Sequence, residues 1–230
     1  MKMRENPPFS EVYMAHYPLP AQGTLTPYCA LPQITIDYES SPRDHSDWAN
    51  KPEFTLIAAS KDRDTIWDTL MRVGFNAEDI RCLSDEEASN SNINYELNRI
   101  CRASGPTTIY IQGHGLALPN ERIEFLPHDY YMNAPFHGIR CYDLQSALSP
   151  RQGRPAAQRL IITDFCQAYN FNCLPYVLKF DHNETPYWDV SDEWRDPGYE
   201  PSFSDTVVHF AAGSRGEITY ENKSGGIFTQ

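Results

Sequence analysis

The sequence predicts an α/β fold, a three-layer α/β/α sandwich around a mostly parallel sheet. Continuous apolar runs, typical of strands buried on both faces, alternate with segments whose apolar residues recur every three or four positions, as in amphipathic helices. Proline, which ends helices and is excluded from central strands, is absent between residues 53 and 105. Strands that alternate with helices in this way form parallel sheets with helices on both faces.

The first predicted strand and helix begin this alternation. Residues 54–59 (FTLIAA) form a continuous apolar run, which predicts a buried strand. Residues 64–73 then carry apolar side chains at spacings of four and three on one helix face, and Gly74 is a stop signal. The apolar positions of this helix are Ile66, Leu70 and Val73.

The later elements follow the same pattern. A short strand is predicted at residues 79–83, and a helix with an apolar stripe at residues 92–101, behind a polar Ser/Asn cap. The β-branched run TTIYI predicts a strand at residues 107–111. The remaining predicted elements are a helix at residues 144–148 and strands at residues 160–163 and 207–212.

The N-terminal segment, residues 1–52, differs from the rest of the chain. It contains eight of the eighteen prolines, so we expect it to be extended or partly disordered, with a short strand at residues 34–38. Residues 53–230 are then expected to form a single domain. A length of 230 residues with 40% hydrophobic composition suits one domain of this size.

The charge balance excludes two classes of partner. The chain has 31 acidic and 19 basic side chains, a formal net charge of −12. Nucleic acids and anionic membranes favour an excess of Lys and Arg, so neither is an expected partner. No apolar run approaches the roughly 18 residues that span a bilayer, and the N-terminus has no stretch typical of a signal peptide. We therefore expect a cytoplasmic protein.

Reactive side chains follow two of the predicted strands. TTIYI continues into Gln112, Gly113, His114 and Gly115, and the strand at residues 160–163 continues into Asp-Phe-Cys, which ends at Cys166. Ligand sites of α/β sheets form at the carboxyl ends of strands. The histidine and the cysteine would therefore face one another if their strands are neighbours.

A Cys/His dyad of this kind has a well-defined chemistry. A thiol with a pKa near 8.5 is only a few per cent thiolate at neutral pH, and an imidazole raises its reactivity by accepting the proton. The backbone N–H groups of Gly115 and Cys166 are candidate donors to a developing oxyanion. Taken alone, a cysteine is more often inert packing, and we treat the other cysteines and histidines in that way.

Several blocks of the sequence resemble the caspase-like cysteine peptidases, and among them the metacaspase-like proteins of fungi and plants. His114 and Cys166 lie 52 residues apart, close to the spacing of about 50 in caspases. The other matching blocks, in order, are DTLMRVGF at residues 68–75, SNINYEL at 91–97, GHG at 113–115, EFLPHD at 124–129, DFC at 164–166, LPY at 174–176 and AAGSRGEITYENKSGGIFT at 211–229.

The resemblance implies an endopeptidase in which Cys166 attacks the peptide carbonyl and His114 acts as base and then acid. It also implies that Asp164 lies in the primary specificity pocket, where a carboxylate pairs with Arg or Lys and repels acidic side chains. We therefore expect cleavage after Arg or Lys, with Gln112 also in contact with substrate. A cap or loop hydrogen bond is the competing interpretation of Asp164.

The chain also departs from the family pattern. The loop after the first strand is short, and Asp62 or Asp64 would have to replace the acidic residue that the family carries there. The family ends with two further helices and a final strand, so we expect a sheet without its edge strand and with exposed apolar surface. Truncation, a shortened splice form and a partner that completes the fold remain open.

We expect no cofactor. The family's calcium site matches a carboxylate at Asp129, but its other acidic positions correspond to Cys141, Tyr142 and Cys173. Since calcium requires six to eight oxygen ligands, we expect no calcium requirement at this site.

Two function classes are consistent with these residues. The first is a cysteine endopeptidase acting on peptide or protein substrates with a basic P1 residue. The second is a caspase-fold pseudopeptidase, a regulatory or interaction module that associates with itself or with a paralogue through the incomplete sheet edge. The intact Cys/His pair favours the enzyme, and the altered sequence Gln-Ala-Tyr after the cysteine favours the module.

Half of the net charge, −6, lies in residues 170–205, which correspond to the linker between the large- and small-subunit-like regions of the family. Lys179 and Arg195 are the only basic residues in this acidic linker. If the pocket prefers basic residues, they are candidate self-cleavage sites, with Arg195 in the more loop-like sequence. The alternative to self-cleavage is a solvated acidic loop. In either case, the same charge suggests a negative surface near the active site that attracts basic substrates.

Overall fold

The computed structural model describes residues 11–14, 53–118, 123–132, 137–148, 157–180, 183, 185–195, 206–216, 218–219, 221–222 and 225–226. Its strands are β1 (Glu11–Met14), β2 (Glu53–Ile57), β3 (Ile80–Leu83), β4 (Thr107–Gln112), β5 (His114–Ala117), β6 (Ile123–Leu126), β7 (Ile139–Arg140), β8 (Gln158–Asp164), β9 (Tyr176–Phe180), β10 (Pro186–Val190), β11 (Thr206–Ala211), β12 (Glu221–Asn222) and β13 (Gly225–Gly226). Its helices are α1 (Ser60–Arg72), α2 (Asn90–Ile100), α3 (Cys141–Leu148) and α4 (Asp192–Arg195), with short 3-10 turns at Ala77–Asp79 and Asp85–Glu87.

The main sheet has eight strands in the order β10-β9-β1-β11-β8-β4-β2-β3. The five strands from β11 to β3 are all parallel, whereas β1 runs antiparallel to both β11 and β9, and β10 runs antiparallel to β9. Strands β5, β6 and β7 form a separate antiparallel sheet. The predicted mostly parallel α/β architecture is therefore confirmed.

Helices cover both faces of the parallel strands. Leu70 of α1 packs with Leu56 and Tyr110 on one face. On the opposite face, α2 and α3 pack against the alternate residues of the same strands, such as Ile109 and Ile161. Burial on both faces explains why these strands read as continuous apolar runs. The arrangement is compatible with three α/β/α layers.

Every helix and strand predicted between residues 54 and 212 is present, with ends displaced by up to four residues. Ser89 caps α2, since its hydroxyl accepts a hydrogen bond from the Asn92 N–H at 3.4 Å. Gly74, which follows α1, has a φ of +97°, a conformation that favours glycine at helix ends. The strands of the small sheet and the β9–β10 hairpin were not predicted.

The N-terminal segment contributes β1 to the main sheet, so Glu11–Met14 is extended and paired on both sides. The rest of residues 1–52, including the strand expected at residues 34–38, lies outside the described residues. Because β1 pairs along the whole of its length with β11, β11 is not an edge strand. The N-terminal β1 therefore takes the position beside β11, and among the described strands the edges of the main sheet are β10 and β3. The absence of the family's final strand stays a prediction.

The acidic linker contains regular structure. Strands β9 and β10 form a hairpin at the end of the main sheet, and α4 follows β10. Buried residues precede the hairpin, among them Phe171 and Leu174. Within the described ranges, no helix combines the length and the apolarity needed to cross a bilayer.

Candidate active site

The two strands that carry the candidate dyad are neighbours. Strands β4 and β8 pair in parallel, and the register places Gln112 opposite Asp164 at their carboxyl ends. One residue further on, the Gly113 N–H donates a hydrogen bond to the Asp164 carbonyl at 3.2 Å. The segments that contain His114 and Cys166 therefore leave the same edge of the sheet side by side, as the sequence predicts.

Gly115 allows a close contact between these segments, and Gly113 allows one with Phe125 of β6. A Cβ on Gly115 would lie 2.3 Å from the carbonyl oxygen of Cys166 and 2.7 Å from Cδ2 of Phe165, so no side chain fits there. Gly113 has a φ of +154°, and a Cβ there would lie 3.0 Å from the Phe125 ring. The backbone beside the histidine thus packs against the backbone of the candidate nucleophile.

A short turn presents Cys166 after β8. Phe165 is fully buried and packs with Phe171, their ring centroids 5.1 Å apart, which anchors the turn in the core. The turn is closed by a hydrogen bond from the Ala168 N–H to the Phe165 carbonyl at 3.1 Å. Gln167 has a φ of +61°, a strained conformation for a residue with a side chain.

The two candidate catalytic side chains differ in exposure. His114 begins β5 and is exposed, opposite Leu126 of β6. Cys166 is partly buried, and its Sγ lies 3.8 Å from the carbonyl oxygen and 3.7 Å from the hydroxyl oxygen of Thr219. The sequence did not predict Thr219 as a site residue. It lies 53 positions after Cys166 and follows another strand, so no local pattern indicates this contact.

The candidate pocket residues are buried below this turn. Asp164 is 4% exposed, and its Oδ2 accepts a hydrogen bond from the Tyr110 hydroxyl at 3.3 Å. Gln112 is also buried, and its Oε1 accepts from the Ala59 N–H at 3.1 Å, which ties the end of β2 to β4. The competing interpretation of Asp164 was a cap or loop hydrogen bond, whereas its bond with Tyr110 joins side chains of two adjacent strands.

The two aspartates that were candidates to replace the family's acidic residue differ in burial. Asp62, in the first turn of α1, is 3% exposed. The carboxylate of Asp64 is largely exposed and pairs with Arg63 at 2.8 Å. Of the two, only Asp62 is a buried carboxylate near the carboxyl ends of the strands.

A buried histidine lies in the core behind the site. His209 of β11 is fully buried, and its Nε2 lies 2.7 Å from Oγ1 of Thr163, the residue before Asp164. Burial lowers the pKa of His209 to about 3. This imidazole is therefore neutral at physiological pH and joins β11 to β8.

The candidate self-cleavage residues meet at one carboxylate. Lys179 of β9 and Arg195 of α4 both pair with Asp189, at 2.9 Å and 2.8 Å. Burial alone would raise the pKa of Asp189, but hydrogen bonds from Lys179, the Val190 N–H and Arg195 outweigh it and lower that pKa.

The one carboxylate that matches the family's calcium ligands has a local partner. Asp129 accepts a hydrogen bond from the Asn90 N–H, at the start of α2, at 2.8 Å. Across the part of the chain that the structure describes, no three His, Cys, Asp or Glu side chains are grouped as a metal site would require.

The arrangement brings together a thiol, an imidazole on the adjacent segment and buried polar side chains at the ends of the same strands, which are groups that an acyl-transfer reaction can use. No protein-family model and no curated protein matches the chain.

Proposed function

We propose that this chain is a caspase-like cysteine endopeptidase in which Cys166 is the nucleophile and His114 the general base. The observation that supports this most strongly is the contact between the Gly115 backbone and the Cys166 carbonyl. It holds the residue after the histidine against the cysteine, although 52 residues separate His114 from Cys166. The contact places the N–H of Gly115 and the backbone of Cys166 side by side, where the proposed oxyanion donors are needed.

The proposed reaction uses the dyad twice. His114 accepts the proton of the Cys166 thiol, and the thiolate attacks the carbonyl carbon of the scissile peptide bond. The oxyanion that forms accepts hydrogen bonds from the N–H groups of Gly115 and Cys166. Each donor lowers the activation free energy by about 3 kcal/mol. The imidazolium then protonates the leaving amine, and a water molecule, deprotonated by His114, hydrolyses the thioester.

The proposed specificity is for Arg or Lys at P1. Asp164, two residues before the nucleophile, is a buried carboxylate at the carboxyl end of β8. A guanidinium or ammonium group is the partner that best compensates such a charge. Gln112, beside it on β4, is the second proposed substrate contact.

The test compares peptides that differ only at P1. Fluorogenic peptides with Arg, Lys or Asp at P1 are incubated with the wild-type protein, with Cys166→Ala, and with Cys141→Ala as a control at another partly buried cysteine. We expect cleavage of the Arg and Lys peptides by the wild type and the control variant alone. Cleavage after Asp would refute the pocket assignment and leave the enzyme in place.

A second candidate function is a pseudopeptidase that regulates or binds an active paralogue or another copy of itself. The contact of Thr219 with Cys166 supports it, because the thiol is partly covered. Failure to cleave any of the three peptides, with the chain properly folded, would favour this candidate. For either function we propose a cytoplasmic location, from the sequence patterns described above.

A further inference from the structure

Thr219, which follows β11, contacts the thiol of the candidate nucleophile, and Arg215 contacts residues near it. We define residues 212–216 and 218–219 as the covering loop. Its base is fixed, since the Ala212 N–H donates to the Thr163 carbonyl at 2.9 Å. Thr219 of this loop contacts the Cys166 thiol with both its carbonyl and its hydroxyl oxygen.

Arg215 anchors the covering loop between these two points. Its guanidinium lies 4.8 Å from the ring centroid of Tyr169, three residues after Cys166, and it pairs with Oε1 of Glu193 in α4 at 3.1 Å. A cation over an aromatic face and an ion pair are both attractive, so the arginine is held from two sides.

The other carboxylate oxygen of Glu193 accepts a hydrogen bond from the loop that follows Cys166. Asn170 donates from Nδ2 to Glu193 Oε2 at 2.8 Å. Asn170 is buried and fixed, because it also donates to the Leu174 carbonyl at 2.8 Å and accepts from the Leu174 N–H at 2.7 Å. The carboxylate of Glu193 therefore joins α4, the loop after Cys166 and the covering loop.

We propose that the Glu193–Arg215 pair is a latch that keeps Thr219 against Cys166 and thereby controls access to the thiol. In the latched state Thr219 lies beside Sγ, where the carbonyl of a substrate would have to approach. When the pair breaks, the covering loop loses one of its contacts at Arg215, and the thiol becomes more accessible. Control of substrate entry rests on the proposed peptidase function, whereas shielding of the thiol does not.

The strength of the latch suits a device that opens. The Arg215 side chain is 47% exposed and that of Glu193 20% exposed, so solvent screens their attraction. Such pairs contribute modestly, and the contact with the Tyr169 ring adds a term of similar size. The opening equilibrium is therefore within reach of single substitutions.

The test measures alkylation of Cys166 by iodoacetamide in the folded protein at fixed pH, with peptide mass spectrometry as the readout. We expect the rate at Cys166 to rise about fivefold in Glu193→Gln and about tenfold in Arg215→Ala, which also loses the ring contact. Asp192→Asn is the matched control, because Asp192 lies beside Glu193 in α4 but pairs with Arg195. Its rate should equal that of the wild type.

Cys101, which is buried, reports on global unfolding in the same digest. Equal Cys166 rates in the wild type and in Glu193→Gln, with Cys101 protected in both, would overturn the latch. If Arg215→Ala unfolds, so that Cys101 reacts too, Glu193→Gln decides. Faster alkylation without cleavage of any peptide would sustain the latch and refute the peptidase.

Discussion

The hydroxyl of Tyr110 donates a hydrogen bond to Oδ2 of Asp164 at 3.3 Å, between two adjacent parallel strands and two residues before Cys166. A phenol is a neutral donor, and hydrogen bonds from neutral donors to a carboxylate are weaker than those from a cation. The relationship therefore suits a carboxylate that is held in position and still attracts a basic side chain.

Substitution of Asp164 by Asn should separate these two roles. Asparagine still accepts the Tyr110 hydrogen bond but lacks the charge, so we expect kcat/KM for Arg peptides to fall about tenfold, as for loss of a charged hydrogen bond. Peptide kinetics and chemical denaturation are the measurements, and the free energy of unfolding should change little.

Tyr110→Phe is the matched control for this prediction. It removes the hydrogen bond and keeps the charge, so it should lower the free energy of unfolding by about 1–2 kcal/mol and preserve the preference for Arg over uncharged P1 residues. If Asp164→Asn instead loses as much stability as Tyr110→Phe with no change in P1 preference, Asp164 has only the structural role.

Gly115→Ala should damage the site more than the fold. The new Cβ would lie 2.3 Å from the Cys166 carbonyl oxygen, so the nucleophile turn must move away from β5. A displacement of this size misaligns the reacting groups, and we expect kcat to fall by about two orders of magnitude. Gly74→Ala, at a positive φ with nothing within 4 Å, should cost about 1 kcal/mol of stability and leave kcat unchanged.

His209 should make the fold sensitive to mild acid. Its pKa is lowered to about 3 in the folded chain from an ordinary value of 6.5, so between these values the unfolded chain binds one more proton than the folded chain. Stability from this residue is therefore complete above pH 6.5 and falls by about 1.4 kcal/mol per pH unit below it.

Denaturation curves at pH values from about 7.5 to about 4.5 test this prediction, because stability should begin to fall within that range. His209→Gln keeps a hydrogen-bonding partner for Thr163 without a titrating group, and it should remove the slope attributed to His209. An unchanged slope in the variant would assign the acid sensitivity to other groups.

The elements predicted from sequence are those whose burial is complete and whose pattern is local. Residues 54–57 of the run FTLIAA form β2 and are buried, and the segments that carry Gly115 and Cys166 meet because β4 and β8 are neighbours. The positions of the chemically reactive residues at the strand ends could therefore be predicted from the sequence.

The parts that were missed depend on contacts distant in sequence. Strand β1 has no pattern of its own in a proline-rich segment, and it forms because β11 and β9 offer partners on both sides. Thr219, Arg215 and Glu193 are ordinary surface residue types, and only the fold brings them to the candidate nucleophile. No spacing rule relates them to Cys166, since Glu193 comes from α4 and Arg215 and Thr219 from the loop after β11.

Self-cleavage, if the proposed peptidase function holds, should occur after Arg195 and not after Lys179. Lys179 lies within β9, and its backbone pairs with Tyr187 of β10, so a peptidase cleft cannot take it up without opening the sheet. Arg195 is the last residue of α4, and its side chain is 52% exposed. Its pairs with Asp189 and Asp192 are partly exposed, and such pairs hold it only weakly.

Intact mass spectrometry of protein incubated at high concentration is the measurement. We expect one cut after Arg195, absent in both Cys166→Ala and Arg195→Gln and retained in Lys179→Gln. Lys179→Gln is the matched control because it removes the other basic residue of the acidic linker and the other partner of Asp189. A cut after Lys179 would mean that the β9–β10 hairpin opens before cleavage, because its paired backbone must first leave the sheet.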